Sequence, residues 1–235
     1  YYENDVTSSA ELRQSIHYWL STVVLNSVSG NVGSQRVLET AREHIRKTKS
    51  AVFPSKRILD DLQGSGAVTR LDAARLDELL DEVDYNSGSR RNALLTHLYE
   101  DRRAGQNDFE VDHIHPRGKL GDTDYLTECG VPPDETDWVE EHRDHLANLQ
   151  LLTGGKGGEN QSKGDSDLLD WLEKVEEGEV DGLSNKEEYF RLHRVPSESE
   201  LHQYQEFRRF IDEDGRKGVM RGRLRETLPL IESDE

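Results

Sequence analysis

Three short stretches in the middle of the chain decide its fold. They are FEVDHIHP at residues 109–116, NLQLL at 148–152 and NQSK at 160–163. In the first stretch Phe109 and Val111 alternate with charged side chains, which predicts a short strand that stops at a proline. The second stretch predicts an apolar strand, followed by a glycine-rich turn at 154–158. A helix is then expected from near Asn160 to Val175, because apolar side chains recur there at helical spacing.

The polar residues of these stretches suit the hydrolysis of a phosphodiester. That reaction needs a base for the attacking water, a cation to neutralise charge on the phosphate and a donor for the leaving oxygen. A neutral histidine takes up a proton near neutral pH, which suits His113. A hard divalent cation prefers oxygen ligands, and Asp112 and Asn160 supply two of them. Neighbours on a strand point to opposite faces, so Asp112 and His113 flank one phosphate only if the strand end re-aims them.

In this order the three stretches resemble the HNH (ββα-metal) nuclease superfamily, and above all the HNH domain in the C-terminal half of GmrSD-type and related defence endonucleases. The matching region spans roughly a quarter of the chain. The resemblance implies a mainly α (α+β) fold, a helical bundle with an embedded ββα-metal module. It implies that His113 is the general base and that Asp112 and Asn160 bind Mg²⁺ or Mn²⁺. It also implies that Asn148 orients the metal-binding loop or His113, and that Lys163 helps to hold the phosphate.

The same resemblance implies a function and partners. The chain is expected to be a metal-dependent DNA endonuclease or nickase of an antiphage or restriction system. Its partners would be DNA and a ParB-like domain, which forms the N-terminal half of the proteins it resembles. Two alternatives stay open: a nuclease of the same chemistry that cuts RNA, and a DNA-binding or interaction domain without catalysis.

Two features depart from the family pattern. Many HNH domains carry paired Cys-x-x-Cys zinc knuckles, and a single cysteine, Cys129, cannot form one. The segment 117–141 is long and rich in Asp, Glu, Gly and Pro, which predicts an irregular insertion beside the site. His142 and His145 could form a zinc site with His113, although no cysteine or closely spaced histidine pair supports it.

The site residues also have simpler structural explanations. Asp112 could cap a turn, and Asn148 and Asn160 are common turn and helix-cap residues. Only their joint occurrence in this order favours a nuclease. His115 lies on the same strand face as His113, so it either contacts the phosphate or packs against the protein.

Composition limits the classes of function. Hydrophobic and charged residues each make up 33% of the 235 residues, which predicts a folded protein with a highly charged surface. No apolar run reaches membrane length and no signal-like segment opens the chain, so no membrane partner is expected. The single cysteine fits a reducing cytoplasm. The only methionine is Met220, from which we expect the chain to be a fragment of a larger protein.

The net charge of −18 opposes the binding of nucleic acid, because lysine and arginine contacts to phosphate supply most of its affinity. Either the acidic surface is adapted to a high-salt cytoplasm, or positive charge is concentrated locally. Lys217, Arg221 and Arg225 are spaced by four and would line one helix face. Together with His115 and Arg117 they are the candidate nucleic-acid contacts. The alternative is that this helix face pairs with the acidic surface.

The remaining sequence predicts helices on both sides of the nuclease-like segment. The expected domains are a helical domain at 1–104, the HNH module at 105–178 and a C-terminal helical extension at 179–235. Capping boxes are expected at 8–11 and 197–200, and a break at 31–34. Helices of the first domain are expected around 12–24, 37–45, 55–62, 71–83 and 89–100.

Overall fold

The computed structural model describes residues 10–48, 52–99, 102, 109–180, 183–196 and 204–231. The described protein is mainly helical and contains a small two-stranded sheet, as the sequence predicts. The helices are α1 (Ala10–Leu25), α2 (Val28–Val32), α3 (Ser34–Lys47), α4 (Ser55–Gln63), α5 (Ala73–Glu82), α6 (Gly88–Leu98), α7 (Thr123–Glu128), α8 (Thr136–His142), α9 (Glu159–Lys163), α10 (Leu168–Glu176), α11 (Lys186–His193), α12 (Tyr204–Ile211) and α13 (Arg216–Thr227). The strands are β1 (Phe109–His113) and β2 (Leu149–Thr153). Among the described residues, no helix is both long enough and apolar enough to span a membrane.

The chain forms two compact units. One comprises residues 1–79 with 225–235, and the other comprises residues 80–224. These units are defined by contacts in space, whereas the expected domains at 1–104, 105–178 and 179–235 follow the order of sequence patterns. Both strands and every residue of the three decisive stretches belong to the second unit, which is therefore the unit that carries the candidate site.

The first unit is built on an apolar core from α1 to α4. Its buried members include Leu12, Val23, Val28, Val37, Ile58 and Leu62. Trp19 packs on Phe53 with their ring centroids 5.2 Å apart. The break expected at 31–34 is reduced to a single residue, because α2 continues to Val32 and only Gly33 interrupts the helices, with φ of 85°. That dihedral angle lies in the region that favours glycine. The start of the capping box expected at 8–11 lies outside the described residues.

The sheet pairs β1 with β2 in antiparallel register. Phe109 lies opposite Thr153 at one end and His113 lies opposite Leu149 at the other, so that Asp112 lies beside Gln150. The predicted strands are confirmed. Residues 149–152 are all buried, so β2 is the inner strand of the pair. The pairing brings the first two decisive stretches together.

The prediction of one helix from Asn160 to Val175 is wrong. The chain forms two helices, α9 and α10, because Gly164 ends α9 with φ of 50° and ψ of −134°, which a side chain would oppose. The buried apolar side chains that suggested a continuous helix belong to α10 and include Leu168, Trp171 and Val175. The short helix α9 therefore presents Asn160 and Lys163 independently of α10.

The prediction of an irregular insertion at 117–141 is also wrong. The segment 117–141 contains α7 and most of α8. The side chain of Asp122 caps α7 by accepting hydrogen bonds from the backbone N–H groups of Asp124 and Tyr125, at 2.9 and 3.2 Å. Leu126 and Val139 are buried, so both helices contribute to the core of the second unit.

The second unit ends in short helices. Asn185 caps α11 by accepting a hydrogen bond from the backbone N–H of Glu188 at 2.8 Å. The capping box expected at 197–200 lies outside the described residues. Tyr189 of α11, Phe207 of α12 and Arg216 of α13 are all buried. These helices therefore add side chains to the interior of the second unit, where the candidate site lies.

Candidate active site

The side chain of Asp112, on β1, contacts a side chain of α9. Its carboxylate Oδ2 lies 3.0 Å from the Nζ of Lys163, and it also accepts a hydrogen bond from Gln150 Nε2 at 3.2 Å. Only 1% of the Lys163 side chain is exposed, so this ammonium group is buried on the carboxylate. The first and third decisive stretches thus meet through an ion pair between residues that are 51 positions apart in sequence.

Gln150 is oriented by a residue from the C-terminal part of the chain. Its buried side chain accepts a hydrogen bond on Oε1 from the Tyr189 hydroxyl at 2.7 Å. That contact directs Nε2 toward Asp112 Oδ2 and toward the backbone carbonyl of His113, 3.4 Å away. Burial raises the pKa of Tyr189 well above its usual value, so the hydroxyl keeps its proton and stays a donor. Through Gln150, α11 therefore helps to fix Asp112.

Asn160 contacts the same face of β1. Its Nδ2 donates a hydrogen bond to the carboxylate of Glu110, which is two residues before Asp112 and so points to the same side of the strand. Among the residues that the structure describes, none donates a hydrogen bond to Asp112 Oδ1 or to Asn160 Oδ1. Carboxylate and amide oxygens are the ligands that Mg²⁺ and Mn²⁺ prefer. The chemistry of this donor pair therefore fits the expected cation.

His113 points away from Asp112, as the alternation of the strand requires. Its Nε2 lies 2.8 Å from Asp144 Oδ1, and its ring stacks on Tyr85 at a centroid distance of 4.8 Å. Burial lowers the pKa of His113 below its usual value, and the hydrogen bond and charge of Asp144 oppose that shift. Near neutral pH the imidazole is therefore uncharged and able to accept a proton.

Asn148 fixes the chain that follows His113. Its buried side chain accepts a hydrogen bond from the backbone N–H of His115 at 2.9 Å. Its Nδ2 donates to the carbonyls of His115 at 3.1 Å and Arg143 at 2.8 Å. The backbone carbonyl of Asn148 also accepts from the N–H of Ile114 at 2.7 Å. Every one of these contacts is to backbone, so Asn148 sets the path of the loop after β1.

His115 and Arg117 occupy different environments. His115 is buried edge-on against Phe207 and Phe210, with centroid distances of 5.3 and 5.1 Å, and burial lowers its pKa to about 3. Of the two alternatives for His115, packing is the one that this position matches. The Arg117 side chain is 49% exposed, and its Nε lies 3.1 Å from Asp144 Oδ1, the oxygen that His113 also contacts. Arg117 is thus a cation at the surface beside His113.

The three cations of α13 that were expected to contact nucleic acid are paired with carboxylates. Lys217 contacts Asp81 and Glu213, Arg221 contacts Glu213 at 2.7 Å, and Arg225 contacts Asp77 at 3.2 Å. The hydrogen bond from Arg221 lowers the pKa of Glu213 to about 2. This pairing matches the alternative in which the helix face neutralises an acidic surface.

The two histidines before β2 are engaged by neighbouring groups. His142 Nδ1 lies 2.8 Å from the carbonyl of Trp138, and the two rings stack at 4.0 Å. His145 Nδ1 accepts a hydrogen bond from the backbone N–H of Ala147 at 3.0 Å. Over the described ranges of the chain, no group of three or more His, Cys, Asp and Glu side chains is placed to hold a metal. A site of one carboxylate and one amide, as expected from Asp112 and Asn160, is not a group of this kind.

Sequence reasoning missed four residues of the site. Glu110 could have been predicted, because residues two positions apart on a strand point to the same face and Glu110 is two residues before Asp112. Gln150 carried a weaker signal, as the single polar side chain inside an apolar strand. Asp144 and Tyr189 lie 31 and 39 residues from the groups they contact and belong to no motif. No pattern in the sequence indicated these last two.

No protein-family model matches this chain, and no curated protein is significantly similar to it.

Proposed function

We propose that this chain is a metal-dependent endonuclease or nickase of the HNH (ββα-metal) type, which hydrolyses DNA phosphodiesters as the C-terminal part of a restriction or antiphage protein. The observation that carries the proposal is the meeting of β1 and α9 at the ion pair of Asp112 with Lys163, with Asn160 on the same strand face. His113 is the last residue of the same strand but points to its other face, so the proposal requires the phosphate to lie at the strand end, within reach of both groups.

Each side chain has a task in the proposed reaction. Asp112 and Asn160 would bind Mg²⁺ or Mn²⁺, which when bound neutralises negative charge on the phosphate. The uncharged His113 takes the proton of the attacking water. The burial of Lys163 supports a role in holding Asp112 rather than a direct contact with phosphate.

The site must attract an anionic polymer to a protein of net charge −18. Arg117 is half-exposed beside His113, so it is the cation best placed to contact a phosphate near the proposed base. Arg117 shares its carboxylate partner Asp144 with His113, whereas Lys217, Arg221 and Arg225 are paired with Asp81, Glu213 and Asp77, so we expect these three to contribute less. Because the net charge is negative and Arg117 is itself paired with Asp144, we expect weak binding that becomes weaker as salt screens the contact.

The proposal is tested with end-labelled single- and double-stranded DNA and RNA of the same sequence, incubated with Mg²⁺ or Mn²⁺. We expect cleavage of DNA that EDTA abolishes. His113→Ala should slow it at least about 100-fold, which is the usual contribution of a general base, and Asn160→Ala should act through metal affinity. His17→Ala and Asn31→Ala are matched controls, because both residues are exposed in the other unit of the chain.

The alternatives give different results in the same assay. Faster cleavage of RNA than of DNA would show that RNA is the substrate and that the proposed hydrolysis is otherwise correct. Binding of DNA with no product under any metal would favour the non-catalytic domain and contradict the proposal. Product that persists unchanged in both site variants would place the activity at another site or in a contaminant.

A further inference from the structure

We infer that Asp144 is a positioning residue for His113, which it holds in the tautomer that carries its proton on Nε2 and leaves Nδ1 free to accept one. The purpose of this arrangement rests on the proposed nuclease function. The tautomer itself is a property of the folded protein, so it can be measured whether or not the protein cuts nucleic acid.

The hydrogen-bond geometry fixes the tautomer. A carboxylate oxygen can only accept, so the 2.8 Å contact with Asp144 Oδ1 requires that Nε2 of His113 is the donor. A neutral imidazole carries one proton, and the lone pair must then be on Nδ1. The His113 and Asp144 side chains are only 9% and 16% exposed, so little water competes for this contact.

Asp144 is itself held in place. Its backbone carbonyl accepts a hydrogen bond from the N–H of Tyr85 at 2.8 Å, and the backbone of the next residue, His145, forms a bridge with Asp84. Tyr85 also stacks on the His113 ring, with 29° between the ring planes. Two segments that are bridged to each other, 84–85 and 144–145, therefore restrain the imidazole at its Nε2 edge and on its face. Nδ1 is left as the ring nitrogen through which a proton can be taken up.

The Asp144 carboxylate also contacts Arg117. The Nε of Arg117 lies 3.1 Å from the oxygen that His113 contacts. The pair places a half-exposed cation next to the base, so that one carboxylate orients the proton acceptor and a candidate phosphate contact together.

The test is ¹⁵N NMR of protein labelled at histidine, at about pH 8, where an ordinary histidine is neutral. The ring signals of His113 are identified by their loss in His113→Gln. We expect a protonated Nε2 and an unprotonated Nδ1 in the wild type. Asp144→Ala should convert this single tautomer into a mixture, whereas Asp144→Asn, which keeps an acceptor oxygen, should retain more of it. Asp137→Ala is the control, because it removes an exposed carboxylate from the neighbouring helix α8.

Two results would overturn the inference: a proton on Nδ1 in the wild type, or an unchanged tautomer in a folded Asp144→Ala protein. If Asp144→Ala does not fold, the spectrum of Asp144→Asn decides the question. Compared with the wild type, that spectrum must show either a shift toward a mixture of the two His113 tautomers or a weaker signal from the proton on Nε2. In the cleavage assay, Asp144→Ala should lower kcat at least about tenfold, as expected of a residue that orients a catalytic group. A protein with the expected tautomer but no cleavage would disprove the nuclease proposal alone, whereas cleavage with the proton on Nδ1 would disprove only this inference.

Discussion

At the scale of single residues, Asn148 does more for the loop after β1 than its small side chain suggests. It makes three side-chain hydrogen bonds, two of them fully buried, all to the backbone of residues 115 and 143. Asn148→Ala should lower the free energy of unfolding by about 3 kcal/mol, because two carbonyls and one N–H would lose their partners in the interior. Urea unfolding followed by circular dichroism measures this change.

Asn148→Asp should be at least as harmful, since a carboxylate oxygen would face the two carbonyls that now accept from Nδ2. Asn31→Ala is the matched control. It removes the same side chain from an exposed position and should change the free energy by less than about 0.5 kcal/mol. Equal stability of Asn148→Ala and Asn31→Ala would show that the loop does not depend on this amide.

His145 gives the second unit a sensitivity to acid. Burial, and to a smaller extent the charge of Lys217, lowers its pKa to about 4. The unfolded state therefore takes up the proton first as the pH falls below about 6.5, and the stabilisation present above that pH is lost down to about pH 4. Between about pH 7 and pH 5 the loss amounts to about 2 kcal/mol.

The measurement is the free energy of unfolding at both pH values for the wild type and for His145→Gln. The variant should lose about 2 kcal/mol less than the wild type over this range. Carboxylates titrate alike in both proteins, so their contribution cancels in the difference. The same pH dependence in the two proteins would mean that His145 is not held neutral in the folded state.

At the scale of secondary structure, the turn between β2 and α9 requires glycine at position 158 because the backbone approaches itself closely there. A Cβ atom at Gly158 would lie 2.4 Å from the carbonyl oxygen of Gly154 and 2.5 Å from that of Thr153. Gly158→Ala should therefore displace the start of α9, lower the free energy of unfolding by about 1–3 kcal/mol and weaken binding of Mn²⁺ in calorimetry. Gly118→Ala is the control, because a Cβ there meets nothing within 4 Å and the backbone is already helical. Equal behaviour of the two variants would contradict a requirement for close approach at Gly158.

Elements with a clear local pattern could be predicted, and those stabilised by distant contacts could not. The alternation in β1 and the apolar run in β2 gave both strands, because each pattern follows from the face that is buried. The division between α9 and α10 was missed because apolar periodicity alone does not report a backbone reversal at Gly164. The helices of the segment 117–141 were missed because they are short and acidic, and each buries few apolar side chains.

At the scale of the whole molecule, some residues of the candidate site could be predicted from the sequence and others could not. The residues of the three decisive stretches could be singled out from their type and order, and the structure brings Asp112 to Lys163 and Asn160 to the same strand face. The residues that orient them could not be predicted from the sequence, because Asp144 and Tyr189 lie 31 and 39 residues from the side chains they contact. A sequence pattern records which side-chain types occur together, whereas the contacts that orient them depend on the tertiary fold.

The charge of the whole chain predicts a dependence of stability on salt. Acidic residues outnumber basic ones by 48 to 30, so repulsion between like charges opposes the compact state. Raising NaCl from about 0.1 M to about 1 M shortens the screening length from about 10 Å to about 3 Å and should raise Tm by several degrees. Differential scanning calorimetry at a series of salt concentrations measures this. A Tm that falls with salt would mean that the ion pairs of α13 and similar contacts outweigh the net repulsion.

The measurement that tests the central claim most directly is the conversion of supercoiled plasmid by the wild type and by His113→Ala, purified identically and incubated with Mn²⁺ or with EDTA. We predict open-circular or linear product from the wild type with Mn²⁺ only, and a rate at least about 100-fold lower from the variant. Plasmid that stays supercoiled with every divalent cation, or equal product from both proteins, would contradict the assignment of a nuclease site to Asp112, His113 and Asn160.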